Sequence, residues 1–189
     1  MDIITRNFFS LLRSGALNEY ETIEPMSEFK WKRLEQMVVA QHVEGSAWKG
    51  IRNHKDDEMM NMPSYLVNEH QPSEQPVPPV QLSNRILNAR LQRIIRNERH
   101  AIDTNMGAID VLNIIVNNIS SMLNYGSMLS GLIRLGSYLR NKGDKVDYVK
   151  VETWLNKLHI RRMAQLQGSM LISVFNFEPS ELPFVVRIE

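Results

Sequence analysis

The chain has 189 residues, 43% hydrophobic and 23% charged, with 9 Gly, 8 Pro and no Cys. This excludes a disordered or fibrous chain, and it excludes a disulfide framework, a thiolate metal site or a cysteine nucleophile. Its 22 Lys+Arg against 21 Asp+Glu give a net charge of +1, so no whole-molecule field steers it to nucleic acid or anionic lipid, and such binding needs a local patch.

The opening residues MDIITRNFFSLLRSGAL lack a long apolar run and a small-residue cleavage site, and nowhere do about 18 uninterrupted apolar residues occur. With the missing cysteines this predicts a cytoplasmic protein that does not span a membrane. Ile4, Phe8, Leu11 and Leu12 recur at helical spacing and predict a first amphipathic helix ending before Ser14-Gly15. A second helix follows Pro25 and Ser27, an expected N-cap, with Phe29, Trp31, Leu34, Met37, Val38 and His42 as its stripe. A third covers Val43 to Ile51 through Ala47, Trp48 and Ile51, with Gly45 as a candidate break. These form an N-terminal helical piece over residues 1 to 52.

Residues 53 to 81 hold most of the prolines, closing on Pro76, Pro78 and Pro79. Each proline pushes its predecessor away from the helical region, so this stretch reads as a linker with one helical turn at 63 to 70. From Ser83, an expected N-cap, to Tyr125 no proline intervenes, and Gly126 stands where a C′ glycine ends a helix. Ile95, Ile102, Ile109, Val116 and Leu123 are seven apart, a seam that Glu98 and Asn105 interrupt. An unbroken helix here would run about 60 Å, longer than a domain of this size is wide. It therefore either breaks near Gly107 or protrudes toward a partner, and the length and seven-residue period of the seam suggest self-association through it. Met128, Leu132, Leu135 and Leu139 then define a helix stopping at Gly143, Asp147 caps the next, and His159 to Phe177 carry the last, ended by Pro179 and Pro183. Short connections predict that the three C-terminal helices pack as antiparallel neighbours. The expected fold is all-α, with residues 82 to 189 forming a bundle around the long helix. Trp31, Trp48 and Trp154 all fall on apolar faces and are expected in the core.

Gly136-Ser137 with Asp144 and Asp147 has the parts of a phosphate-gripping turn with magnesium-holding acids. The two acids, however, are three apart at a helix start, where capping is the expected role. The five histidines never pair at i, i+3 or i+4, so no metal site and no cofactor is predicted. Arg93 and His100, seven apart on one predicted helix, project about 20° out of register. Together they resemble the Arg and His motif of small helical ribonucleases of the HEPN type, which implies metal-independent RNA cleavage. Ile94 occupies the place where those proteins carry a polar residue, and a solvated or salt-bridged face is the preferred reading. Arg85, Arg90, Arg93, Arg96 and Arg99 make the start of the long helix basic, with Glu98 the lone acid among them. Steps of five and three spread them around much of the circumference and no aromatic interleaves. A solvated face or an acidic protein partner is therefore preferred over nucleic acid.

The C-terminal order NYGSMLSGLIRLGSYLRNKGDKVDYVKVETWLNKLHIRRMAQLQGSMLISVFNFEPSELPF resembles the helical tail of the uncharacterised bacterial nucleotidyltransferase-like family. The N-terminal NFFSLLRSGAL and FKWKRLEQMVVAQHVEG resemble that family's opening helices. The resemblance implies a nucleotidyl-transfer core between these parts, with strand-borne Gly-Ser and paired acids. Residues 80 to 125 show no alternation of period two that would supply it, so no catalytic residue carries over. The expected function is a non-catalytic interaction or scaffold protein, a degenerate relative of that family, with a protein partner or a second copy of itself.

Overall fold

Asp2, Asn84, Asn105 and Asp147 each cap a helix start with a side-chain bond. The computed structural model describes residues 1–68, 80–126 and 129–185, and every regular element among them is a helix. The chain divides into two units, Met1–Pro76 and Val77–Glu189.

In the first unit α1 (Ile3–Leu17) opens on Asp2, which accepts from the Thr5 backbone N–H at 3.0 Å, and closes on Asn18 in the left-handed region at φ 56°. Helix α2 (Glu28–Ala40) begins after Ser27, whose side chain makes no capping bond. Helix α3 (Glu44–Asn53) runs unbroken through Gly45. Helices α1 and α3 approach so closely that a methyl group on Gly15 would overlap the Ser46 carbonyl oxygen, and one on Gly50 the Leu11 carbonyl. Phe8, Leu11, Trp31, Leu34, Trp48 and Ile51 fill the core around this contact, whereas Phe29 is exposed rather than part of the buried stripe.

The linker expected over 53 to 81 begins later than its prolines implied. His54 is buried, with Nδ1 2.8 Å from the Gly50 carbonyl oxygen and Nε2 2.8 Å from that of Glu21. The Asn61 amide pairs with both backbone groups of Met26 at 3.0 Å. Met60 and Leu66 are buried, and a short helix α4 (Tyr65–Asn68) occupies part of the turn expected at 63 to 70. Burial of apolar side chains therefore carries the first unit past residue 52. The segment holding Pro76, Pro78 and Pro79 lies outside the described residues.

In the second unit the long helix is interrupted, the first of the two outcomes that its length allowed. Helix α5 (Arg85–Arg99) is capped by Asn84, which accepts from Ile86 and Leu87 N–H, one residue beyond the expected Ser83. Helix α6 (Met106–Tyr125) starts on Asn105, which accepts from Ala108 N–H at 2.7 Å, and ends on Gly126 at φ 67°. Between them Thr104 Oγ1 donates to the carbonyls of Glu98 and Ala101, and Glu98 Oε1 accepts from the Asn105 N–H at 2.7 Å. The two polar residues that interrupt the seven-residue pattern thus stop one helix and start the next.

Helix α7 (Leu129–Lys142) ends before Gly143. A 3₁₀ turn (Gly143–Lys145) leads to α8 (Tyr148–Lys157), where Asp147 accepts from Lys150 N–H at 3.1 Å, and α9 (Arg161–Val174) follows. Helix α6 packs against α7, α8 and α9. By length and composition α6 would reach across a bilayer over Met106–Asn124, and half of that stretch is buried inside this unit. Among its buried polar groups Asn118 Nδ2 donates to the Gly131 carbonyl and to Gln167 Oε1, and Gln167 Nε2 donates to the Ile115 carbonyl, while the buried Oδ1 atoms of Asn113, Asn117 and Asn118 accept no hydrogen bond among the described residues. The Asn118–Gln167 amide bridge ties α6, α7 and α9. Trp154 lies in the core of this unit, as Trp31 and Trp48 do in that of the first.

Candidate binding face on the fifth helix

Helix α5 turns Leu91, Ile95 and Glu98 inward. Arg85, Arg90, Arg93, Arg96 and Arg99 are all exposed. At about 100° per residue the five arginines span an arc of about 180° centred opposite the buried stripe. The spread expected from their spacing is thus half a turn, and it is the solvent half. Arg90 donates to the Lys157 carbonyl at 2.6 Å. Among the described residues the side chains of Arg85, Arg93, Arg96 and Arg99 have no ion-pair or hydrogen-bond partner.

The lone acid in the run does not offset them. The Glu98 carboxylate is 9% exposed and lies 2.7 Å from Lys150 Nζ, which also reaches the Asp103 carboxylate at 2.9 Å and its carbonyl at 2.6 Å. Hydrogen bonding to Lys150 holds the Asp103 carboxyl below its ordinary value, and the bonds to Glu98 and Asp103 raise that of the Lys150 ammonium. These three charges serve one another, and α5 is left with five positive charges facing water.

Helix stability explains only part of that pattern. Cations in a last turn complement the macrodipole, which accounts for Arg96 and Arg99, but Arg85 is the first helical residue, where a positive charge opposes it. The unit carries the same bias. Eight basic against twelve acidic side chains give Met1–Pro76 a formal charge of −4, while fourteen against nine give Val77–Glu189 a charge of +5. The near-neutral total conceals two opposite halves.

Arg93 and His100 are both exposed on the outward arc, His100 as the residue that caps the end of α5. The seven-residue seam is not a surface. Ile109 and Val116 are fully buried in the unit's own core and Ile95 nearly so, while Ile102 stands exposed in the break and Leu123 near the end of α6. The helix is interrupted between Arg99 and Met106, so the five side chains belong to two helices and the break between them. Asp147 is a helix cap, as expected, and Asp144 sits in the preceding 3₁₀ turn. Gly136 is buried inside α7 against Leu171 and Phe177 rather than in a phosphate-gripping turn. Among the described residues no three His, Asp or Glu side chains are grouped to hold a metal ion.

The Glu98, Lys150 and Asp103 cluster went unseen in the sequence, because Lys150 lies 52 residues from Glu98. The signal available was the acid inside an apolar seam. No protein family, curated protein or solved structure matches this chain.

Proposed function

We propose that this protein works by binding rather than by catalysis, as a helical interaction protein whose second unit presents α5 to a polyanionic partner. One observation carries the reading: five exposed arginines share the solvent half of a single helix while the only acid in the run is turned inward and paired. An unpaired cationic face of this density raises the local concentration of anions and speeds encounter with them. The likeness to the nucleotidyltransferase-like family enters only as descent, a relative that has kept helical parts and lost the sheet.

The full chain applied to immobilised heparin at low ionic strength tests it. Retention, elution by added salt, and earlier elution of the Arg93→Glu/Arg96→Glu double variant are expected. Passage of the wild-type chain without retention ends the reading. Arg93 and His100 as a nuclease pair are the weaker alternative, because His100 terminates its helix and no carboxylate orients it in the hydrogen bonds present. Cleavage of structured RNA that disappears on His100→Ala would reinstate it.

A further inference from the structure

We infer that the polyanion is a nucleic-acid duplex of B form, held by its phosphates with α5 lying along the major groove; this rests on α5 being the binding face. Every cation of α5 is arginine. Five of the chain's fourteen arginines fall within these fifteen residues, and none of its eight lysines does. Guanidinium presents parallel N–H donors that match phosphate oxygens two at a time, whereas ammonium acts as a point charge.

The dimensions fit. From Arg85 to Arg99 the helix rises about 21 Å, and with side chains it is about 10–12 Å across, against a groove about 12 Å wide. On the wheel Arg99 and Arg90 stand at the two margins of the outward arc, with Arg85, Arg96 and Arg93 between them. The margins reach toward the phosphates of opposite strands. The Lys157 carbonyl occupies one N–H of Arg90, and its remaining donors stay available.

What the arc lacks selects among polyanions. Protein interfaces draw most of their energy from buried aromatic and apolar anchors, and single strands are held by aromatic side chains that stack on bases. The outward arc of α5 carries no Phe, Tyr or Trp, its one ring is the His100 imidazole at the helix end, and Ile86 is its one large exposed apolar side chain. A surface with many guanidinium donors and almost no anchor suits a duplex backbone, which demands charge and spacing but no apolar contact. With few groups aimed at base edges, binding is expected to be indifferent to sequence.

Fluorescence anisotropy of the full chain with a labelled random-sequence DNA duplex, the matching single strand and poly-glutamate tests this. Duplex should bind tightest. With five phosphate contacts the logarithm of affinity falls against the logarithm of salt with a slope of about −4.5, about a 500-fold loss between about 50 and 200 mM. Arg93→Glu with Arg96→Glu should weaken duplex binding by at least about tenfold and flatten the slope by about two. Arg162→Glu, an exposed arginine of α9, should leave both unchanged, and melting curves by circular dichroism establish that each variant is folded. Equal or tighter binding to poly-glutamate or to the single strand overturns the duplex while leaving α5 a polyanion-binding face. An equal loss on Arg162→Glu overturns the placement on α5. Absence of binding to all three probes at low salt overturns this inference and the function proposed above together.

Discussion

In the first unit Arg6 lies 2.7 Å from Glu24, and Arg13 is gripped by Glu21 together with Ser10, whose hydroxyl donates to the same carboxylate at 2.6 Å. In the second unit the arginines of α5 face water, four of them without a partner among the described residues. The same side chain therefore serves two ends within one chain. Arg6 and Arg13 stitch a loop to a helix in the acidic unit, whereas the arginines of α5 are left over for something outside the basic one. Overall charge conceals this, and only the division by unit and by helix face reveals it.

The comparison predicts a graded set of outcomes. Arg13→Ala removes a guanidinium that is 14% exposed and leaves the Glu21 carboxylate without its cation. A loss of about 2 to 3 kcal/mol is expected in urea unfolding, and a loss below about 0.5 kcal/mol would mean that the first unit's arginines are as dispensable as those of α5. Glu98→Ala, the corresponding test of the second unit's own pairing, takes away the acceptor for Asn105 and Lys150 and should cost about 2 kcal/mol by the same measurement. It should also leave duplex affinity unchanged or slightly higher, since a negative charge beside the arginines is gone.

A pH titration sharpens the same contrast, because it reads a polar contact internal to the second unit. Burial and the hydrogen bond to Asp110 push the Tyr138 hydroxyl up from 10.0 to about 12. A proton held more tightly in the folded state stabilises it fully below the ordinary tyrosine value, and that contribution is lost as pH climbs from about 10 to about 12. Burial also raises Tyr65 and Tyr148, so tyrosine absorbance should show several late-ionising groups, of which Tyr138→Phe removes the one near 12. Ionisation of all five tyrosines near 10 would contradict the contact.

The smallest expected effect is the most diagnostic. Arg85→Glu places an anion at the first residue of α5, where the helix dipole favours it, and should raise stability by about 0.3 to 1 kcal/mol. The same change should weaken duplex binding. A variant that gains stability and loses affinity would mark Arg85 as kept for a partner; a variant that loses both would mark it as structural.

Much of the helical plan was legible in the sequence. Gly126, Gly143 and Asp147 end or begin helices where their chemistry requires, because caps act within one turn of the chain. What escaped depends on partners far along it. The fate of residues 54 to 66 is decided by the pairing of Asn61 with Met26, 35 positions earlier. At the helix break the Glu98 carboxylate is held by Lys150, 52 positions later. As for the candidate site, its residues were legible individually, but a run of arginines spaced by five and three becomes a face only once Leu91 and Ile95 declare which side is covered. The interruption of the long helix was hidden for the converse reason, since a seven-residue period does not say whether the helix bearing it continues.

The meeting of α1 and α3 at Gly15 and Gly50 has a consequence for how this chain can vary. With carbonyl groups standing where a first side-chain carbon would go, neither position admits any other amino acid without prising the helices apart. In a library randomised at every codon and selected for folded protein, those two columns should come back holding a single letter, while the outward columns of α5 fill freely until the selection is made on binding.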